Sequence, residues 1–161
     1  MKIGFIGCGN MASSMINGLL GSKAASPDEL MASAKTEKTR AKIRDDFHIK
    51  CGTNQETAAF ADVLVLAVKP QFYEEVIRDT KDYVKPGICI ISIAPGKTLD
   101  WLSGKFDGKV NVIRMMPNTP ALIGQGMTGI CCSENVTETQ RSFAVRICES
   151  FGKCLMIHHS S

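Results

Sequence analysis

A glycine-rich segment near the start of the chain has the residue types and spacing needed to bind a diphosphate. Gly7, Gly9 and Ala12 form a G-x-G-x-x-A pattern between an apolar run and a helical pattern. The first glycine permits a tight turn, the second lets the backbone approach a pyrophosphate, and the alanine lets the helix pack close to the sheet. The helix N-terminus would offer N–H groups and the positive end of its dipole to the phosphates. The pattern predicts a dinucleotide site, and a purely structural strand-to-helix turn is the alternative.

The end of the second predicted strand bears on which nicotinamide cofactor the site takes. Enzymes that prefer NAD usually place an Asp or Glu there to bind the ribose 2′-OH. Here residues 31–36 carry no carboxylate, and the first one is Glu37. Ser33, Lys35 and Thr36 supply hydrogen-bond donors and one positive charge, which suits a 2′-phosphate. We therefore expect NADPH, with NADH also possible; the alternative is that Lys35 only begins a charged, solvated helix.

Three further loops follow predicted strands and should line the same cleft, because ligands of open α/β sheets bind at the carboxyl ends of strands. They are AVKPQ at 67–71, IAPG at 93–96 and MPNTP at 116–120. Two prolines restrict the backbone around Asn118 and Thr119, which suits the placement of a nicotinamide amide or a small substrate. A plain turn between antiparallel strands explains MPNTP nearly as well.

The elements that must position these loops alternate along the chain. Strands are predicted at 2–6, 29–34, 62–68, 88–93 and 110–115, with an antiparallel strand at 126–132 and a last strand at 153–157. Helices are predicted at 11–20, 36–47, 71–83 and 98–105, and after a capping box formed by Thr137 and Gln140. The alternation predicts an α/β, Rossmann-type, doubly wound and mainly parallel sheet with helices on both faces. We assign residues 1–157 to one dinucleotide-binding domain and 158–161 to a linker or a remnant added in cloning.

Composition narrows the classes of function. The 161 residues carry 19 Lys and Arg against 16 Asp and Glu, a net charge of +3, which is too small and dispersed for nucleic-acid binding. No stretch approaches the ~20 apolar residues of a membrane span. The seven cysteines show no C-x-x-C spacing and fit neither a zinc site nor a disulfide scaffold. We expect most of them to be small buried apolar residues in a reducing cytoplasm, and no metal.

Four segments together resemble pyrroline-5-carboxylate reductase, the NAD(P)H-dependent enzyme of proline biosynthesis. They are IGFIGCGNMA at 3–12, DVLVLAVKPQ at 62–71, ISIAPG at 91–96 and VIRMMPNTPALIGQG at 112–126. The segments occur in the family's order and span essentially the whole chain. The combination of AVKPQ with MPNTPA is much more specific than the glycine loop.

The resemblance implies cofactor contacts that spacing alone does not assign. It places the glycine loop on the phosphates, Ser33 on the adenosine 2′-phosphate, and Ala94 with the AVKP segment on the ribose and nicotinamide. The cofactor-binding residues expected are Ile6, Gly7, Cys8, Gly9, Asn10, Met11, Ser33, Lys35, Asn54, Ala67, Val68, Lys69, Pro70 and Ala94, with Asn118 and Thr119 in a nicotinamide or substrate loop. Asn54 could instead cap a helix that begins near Gln55, and Lys69 could be a surface charge.

The resemblance also implies the reaction and its partners. In the family, hydride passes from nicotinamide C4 to the C=N carbon of 1-pyrroline-5-carboxylate and gives L-proline. A helical C-terminal domain forms the dimer and binds the substrate, and we expect that domain to be absent here and the full-length protein to be a homo-oligomer built on a dimer. We therefore expect no catalytic residue in this chain, which taken alone should bind cofactor and reduce little or nothing.

Two other readings remain open. A β-hydroxyacid dehydrogenase or an F420-dependent NADP reductase would share the glycine loop, although the MPNTPA segment argues against both. A non-catalytic NADPH-sensing or scaffolding module would bind the same cofactor without reducing a substrate.

Overall fold

Eight strands form one sheet in the part of the chain that the structure, a computed structural model, describes: residues 1–118 and 127–157. The strands are β1 (Ile3–Ile6), β2 (Leu30–Ser33), β3 (Lys50–Gly52), β4 (Val63–Leu66), β5 (Cys89–Ser92), β6 (Asn111–Asn118), β7 (Met127–Cys132) and β8 (Lys153–Met156). Their order in the sheet is β3-β2-β1-β4-β5-β6-β7-β8. All neighbours pair in parallel except β6 and β7, which are antiparallel. The predicted, mainly parallel sheet is confirmed.

Helices cover both faces of this sheet. They are α1 (Asn10–Gly21), α2 (Glu37–Phe47), α3 (Asn54–Phe60), α4 (Tyr73–Thr80), α5 (Leu99–Lys105) and α6 (Glu138–Glu149), with short 3₁₀ turns at Pro27–Glu29 and Pro70–Phe72. One core holds buried residues of α1, α2 and α6, and the other holds residues of α3, α4 and α5. The doubly wound architecture is therefore confirmed.

Strand β4 shows why its sequence is apolar throughout. Val63 and Val65 point into the core shared with α1 and α6, whereas Leu64 and Leu66 point into the core shared with α4 and α5. All four residues are buried. A central parallel strand has no solvated face, so the alternation of apolar and polar residues seen in half-exposed strands is absent from it.

The strand order creates a crevice at one place along the sheet. From β1 the chain goes to β2 on one side, and β4 later pairs with β1 on its other side. The loops that leave the carboxyl ends of β1 and β4 therefore diverge, and ligands of doubly wound sheets bind in that opening. The Gly7–Gly9 turn lies there.

Several predicted element bounds are wrong. The sequence predicts no bounds for strand β3 and gives helix α3 only as an alternative, beginning near Gln55, because an edge strand of three residues and a helix of seven carry little periodicity. The helix predicted at 71–83 is divided into a 3₁₀ turn and α4, which ends at Thr80. The segment predicted as the loop 116–120 is strand as far as Asn118, which pairs with Met127; Thr119 and Pro120 lie outside the described residues.

The cysteines also depart from expectation. Cys148 and Cys154 form a disulfide with a Cα–Cα distance of 6.2 Å, because the end of α6 folds directly back onto β8 and brings the two residues within bridging range. Cys89 and Cys131 are buried and lie outside the disulfide, as expected, whereas Cys8, Cys51 and Cys132 are only partly buried.

The helices of the described ranges are short. The longest, α1 and α6, have 12 residues each, and none in residues 1–118 and 127–157 has the length and apolar character needed to cross a bilayer.

Candidate functional site

A cleft of about 700 Å³ opens at the carboxyl ends of β1, β2 and β4. Its walls contain nine of the residues that the sequence assigned to cofactor binding: Gly7, Cys8, Gly9, Ser33, Lys35, Asn54, Ala67, Val68 and Lys69. These residues come from four separate loops or strand ends. The fold thus gathers most of the candidate site in one place.

Gly7 leaves β1 in a conformation that favours glycine. Its φ is +87°, and an added Cβ would lie 2.9 Å from Val68 Cγ1 and 3.3 Å from the carbonyl oxygen of Ala67. The Gly7 N–H donates a hydrogen bond to Ser33 Oγ at 3.2 Å. A side chain at this position would therefore separate the loop after β1 from the loop after β4.

Gly9 has the opposite surroundings. It is the N-cap of α1 in extended conformation, and a Cβ added there would meet no protein atom within 4 Å. No side chain caps this end of the helix, and the first turn of α1 carries no acidic residue. The space before the helix N-terminus is therefore open, and the N–H groups and the positive end of the dipole face it. An anionic diphosphate fits this arrangement.

Ser33 lies at the end of β2 and is only 1% exposed. Its Oγ accepts the hydrogen bond from Gly7, and its own proton remains for a partner in the cleft. The residue thus connects the glycine loop to the strand end where the cofactor ribose is read in Rossmann-type folds.

Lys35 contacts an aromatic residue across the cleft. Its Nζ lies 5.0 Å from the centroid of the Phe72 ring, within the range of a cation–π interaction. Phe72 is 38% exposed. Thr39 and Arg78 line the same cleft. Two cations from different elements, Arg78 on α4 and Lys35 in the loop after β2, therefore line this cleft.

Sequence reasoning missed several residues of this cleft. They are Ala34, Thr39, Phe72, Glu75, Val76, Arg78 and Asp79. Phe72, Glu75, Val76 and Asp79 recur at intervals of three and four residues, which is typical of one helix face, but the spacing does not say what that face covers.

Asn54 does not cap a helix. Thr53 is the N-cap of α3, and its Oγ1 accepts a hydrogen bond from the N–H of Glu56 at 3.0 Å. Asn54 Nδ2 instead donates to Asp79 Oδ2 at 3.4 Å, and Gln55 Nε2 donates to Asp79 Oδ1 at 3.1 Å. The amide of Asn54 is thus held at the rim of the cleft, and its role as a cap is excluded.

The remaining predicted residues lie outside the cleft wall or are not described. Ile6 is fully buried, with its side chain in the core beside α4. Asn10 and Met11 form the first turn of α1, Pro70 begins a 3₁₀ turn, and Ala94 is buried just beyond β5. Asn118 ends β6; nothing is described of its side chain, and Thr119 lies outside the described residues.

Cys8 is partly buried in the cleft wall, and its Sγ lies 3.7 Å from Ser13 Oγ. Burial raises the pKa of this thiol above its ordinary value, and the contact with Ser13 lowers it by less. The residue is therefore a neutral thiol at physiological pH rather than a thiolate nucleophile.

Among residues 1–118 and 127–157, no group of three or more His, Cys, Asp or Glu side chains is placed to hold a metal ion.

Comparison with known proteins agrees with this geometry. A family described as NADP oxidoreductase coenzyme F420-dependent matches residues 2–96, more than half of the chain. That match ends before the MPNTPA segment. The pyrroline-5-carboxylate reductase of Vibrio alginolyticus is 35% identical over 99% of this chain and 59% of its own length.

Solved structures give the same result. A pyrroline-5-carboxylate reductase from Coxiella burnetii superposes with a TM-score of 0.90 at 29% identity, over 98% of this chain and 59% of that one. A Plasmodium falciparum pyrroline carboxylate reductase with NADP bound has a TM-score of 0.82 at 27% identity, over 98% of this chain and 58% of that one. The chain thus spans somewhat under three fifths of the length of these relatives.

Proposed function

From the premise that the chain belongs to the NADP oxidoreductase coenzyme F420-dependent family, we propose that its cleft binds NADPH for the reduction of 1-pyrroline-5-carboxylate to L-proline. One observation carries the cofactor assignment. Gly9 leaves open space at the N-terminus of α1, beside a Gly7 that is packed against Val68. A backbone cradle of this kind accommodates a diphosphate and excludes a side chain.

Each part of the cleft suits one part of the dinucleotide. The glycine loop at residues 7–11 would hold the diphosphate through the N–H groups at the start of α1, because the Gly7 N–H is already bonded to Ser33 Oγ. Ser33 and Lys35, with Asn54 at the rim, would hold the adenosine ribose and its 2′-phosphate. The remaining assigned contacts, to the nicotinamide ribose and ring, are Ala67, Val68, Lys69, Pro70 and Ala94, with Asn118 and Thr119 on the substrate side.

Charge favours NADPH over NADH. A 2′-phosphate gains from hydrogen bonds to cations and would be repelled by the carboxylate that NAD-preferring sites place after β2. Here the segment after β2 carries Lys35, and Arg78 lines the same cleft. The structure of the Plasmodium falciparum relative has NADP bound, which supports the same choice.

The chain's own residues would bind and orient the reactants. When bound, NADPH would supply the hydride to the C=N carbon of the substrate. The walls formed by Ala67 and Val68 would exclude water from that end of the cleft, and a positioned, protonated imine needs little further assistance. No catalytic residue is assigned to this chain.

The assignment has consequences for the whole protein. The named relatives are longer, and we propose that substrate binding and a homo-oligomer built on a dimer depend on the part of their length that this chain does not match. We propose residues 1–157 as the dinucleotide-binding domain, because one sheet runs from Ile3 to Met156. A cytoplasmic location, and no role for nucleic acid or membrane, belong to the same proposal.

Two measurements test the proposal. Fluorescence titration should show NADPH binding to this chain, and no uptake at millimolar NADPH would overturn the cofactor assignment. The full-length gene product should then convert 1-pyrroline-5-carboxylate to proline with NADPH. Tight NADPH binding without proline formation would instead identify a non-catalytic NADPH-binding module.

A further inference from the structure

A buried tyrosine connects the loop after β4, which lines the cleft, to the loop after β5. Tyr73, the first residue of α4, is fully buried. Its hydroxyl donates to the carbonyl oxygen of Leu66, the last residue of β4, at 2.7 Å. Ser92 Oγ, at the end of β5, donates to Tyr73 Oη at 3.1 Å. The N–H of Ala94 donates to Ser92 Oγ at 3.4 Å.

The direction of these hydrogen bonds is fixed by chemistry. The carbonyl of Leu66 can only accept and the N–H of Ala94 can only donate. Tyr73 must therefore give its single proton to Leu66 and accept from Ser92, which in turn accepts from Ala94. In every hydrogen bond of the network, the donor is therefore on the side of the loop after β5 and the acceptor is on the side of the end of β4.

The network lies where solvent cannot replace its members. Ser92 is 1% exposed and Ala94 is 5% exposed. Burial raises the pKa of the Tyr73 hydroxyl above its ordinary value, so the group keeps its proton at neutral pH. A hydroxyl lost from this position would leave a buried carbonyl and a buried serine without their partner.

The two loops joined by the network are those assigned to one end of the cofactor. Leu66 directly precedes Ala67, Val68 and Lys69 in the cleft wall. Ala94 belongs to the IAPG loop. The residues assigned to the other end, Ser33 and Lys35, lie on and after β2 and share no hydrogen bond with this network.

We infer that Tyr73 is a positioning residue that sets the distance between the Ala67–Lys69 loop and the Ala94 loop, and thereby the fit of the nicotinamide half of the cofactor. The inference rests on the proposed function, because it requires that these two loops face a nicotinamide. Tyr73 touches no part of the cofactor itself.

The test compares binding of the whole cofactor with binding of its adenosine half alone. Tyr73→Phe keeps the ring and removes the hydroxyl. Calorimetric titration should show NADPH binding weakened roughly three- to tenfold, as expected for one buried hydrogen bond. Binding of 2′,5′-ADP, which has the adenosine and its 2′-phosphate but no nicotinamide, should stay within about twofold of wild type, because that half contacts neither loop.

Thr80→Val is the matched control. Thr80 is a second fully buried hydroxyl on α4, and it donates to the carbonyl of Val76 within the same helix. Loss of the Thr80 hydroxyl should lower thermal stability without changing the affinity for NADPH relative to the affinity for 2′,5′-ADP. Ser92→Ala interrupts the network at its middle and should weaken NADPH binding but not 2′,5′-ADP binding, as Tyr73→Phe does. The double variant Tyr73→Phe/Ser92→Ala should lose no more NADPH affinity than the weaker-binding single variant.

Other outcomes would overturn the inference. Equal loss of NADPH and 2′,5′-ADP, or loss of neither, in Tyr73→Phe and Ser92→Ala would show that the network only stabilises the fold. Should wild-type protein bind neither ligand, the proposed function itself would fail. Should it bind both and the variants show no selectivity, only the role of Tyr73 would fail.

Discussion

The backbone N–H of Gly7 donates a hydrogen bond to Ser33 Oγ at 3.2 Å, which joins the turn after β1 to the last residue of β2. The Ser33 hydroxyl oxygen thus accepts a hydrogen bond from the glycine loop. A change at Ser33 therefore acts on two parts of the cleft, the phosphate loop and the 2′-phosphate position, although these are assigned to different parts of the cofactor.

Ser33→Ala should lower both stability and cofactor affinity. The partly buried Gly7 N–H would lose its partner, at a cost of about 1 kcal/mol in the free energy of unfolding. NADPH affinity should fall roughly fivefold, because the loop loses its anchor and the phosphate a donor. Urea denaturation and fluorescence titration measure the two effects. The exposed Ser14 on α1 provides the control Ser14→Ala, and unchanged NADPH affinity in Ser33→Ala would contradict the assignment.

Substitutions of the two loop glycines should impair different properties, cofactor binding for Gly9 and stability for Gly7. Gly9→Val places a side chain in open space, so the fold should lose no more than about 1 kcal/mol at the N-cap. NADPH binding should nevertheless fall at least a hundredfold, roughly 3 kcal/mol or more, because the side chain fills the volume assigned to the diphosphate.

Gly7→Val is the informative comparison for Gly9→Val. Its φ of +87° and the 2.9 Å approach to Val68 Cγ1 should destabilise the protein by about 3 kcal/mol or more. Chemical denaturation should separate the two variants. An NADPH affinity of Gly9→Val equal to that of wild type would exclude the loop from the cofactor site.

Lys35→Glu should weaken NADPH roughly ten- to a hundredfold and NADH much less, because the new carboxylate repels only the cofactor that carries a 2′-phosphate. The difference between the cofactors should shrink as salt is raised, since part of the interaction is exposed to solvent. The control is Lys38→Glu, which makes the same charge change on α2, outside the cleft wall. Equal losses for both cofactors in Lys35→Glu would remove Lys35 from the 2′-phosphate site.

Alkylation of Cys8 should be slow at neutral pH. Burial raises the pKa of its thiol, so the thiolate fraction is below that of a free cysteine at every pH beneath that raised pKa and grows only in alkaline solution. Mass spectrometry after timed iodoacetamide treatment would measure the rate against glutathione. Bound NADPH should slow the reaction further, because Cys8 lies in the cleft wall. A rate at pH 7 that exceeds that of glutathione would show an activated thiol instead.

The amino-acid sequence by itself determined the elements whose signals are local. The glycine spacing 7–9–12 predicted the turn into α1, the apolar run 62–68 predicted a strand buried on both faces, and Thr137 with Gln140 predicted the start of α6. Each signal depends on residues within a few positions of one another, because strand and helix periods and capping bonds span only one or two turns.

Only the tertiary structure decided which distant side chains share the cleft. Phe72 contacts Lys35 and Asp79 accepts a hydrogen bond from Asn54, because sheet order and helix placement bring these residues together. The network from Leu66 through Tyr73 to Ser92 arises in the same way, since β4 and β5 are neighbours in the sheet. Local spacing specifies the direction of a backbone segment, whereas contacts between segments depend on how all of them pack at once.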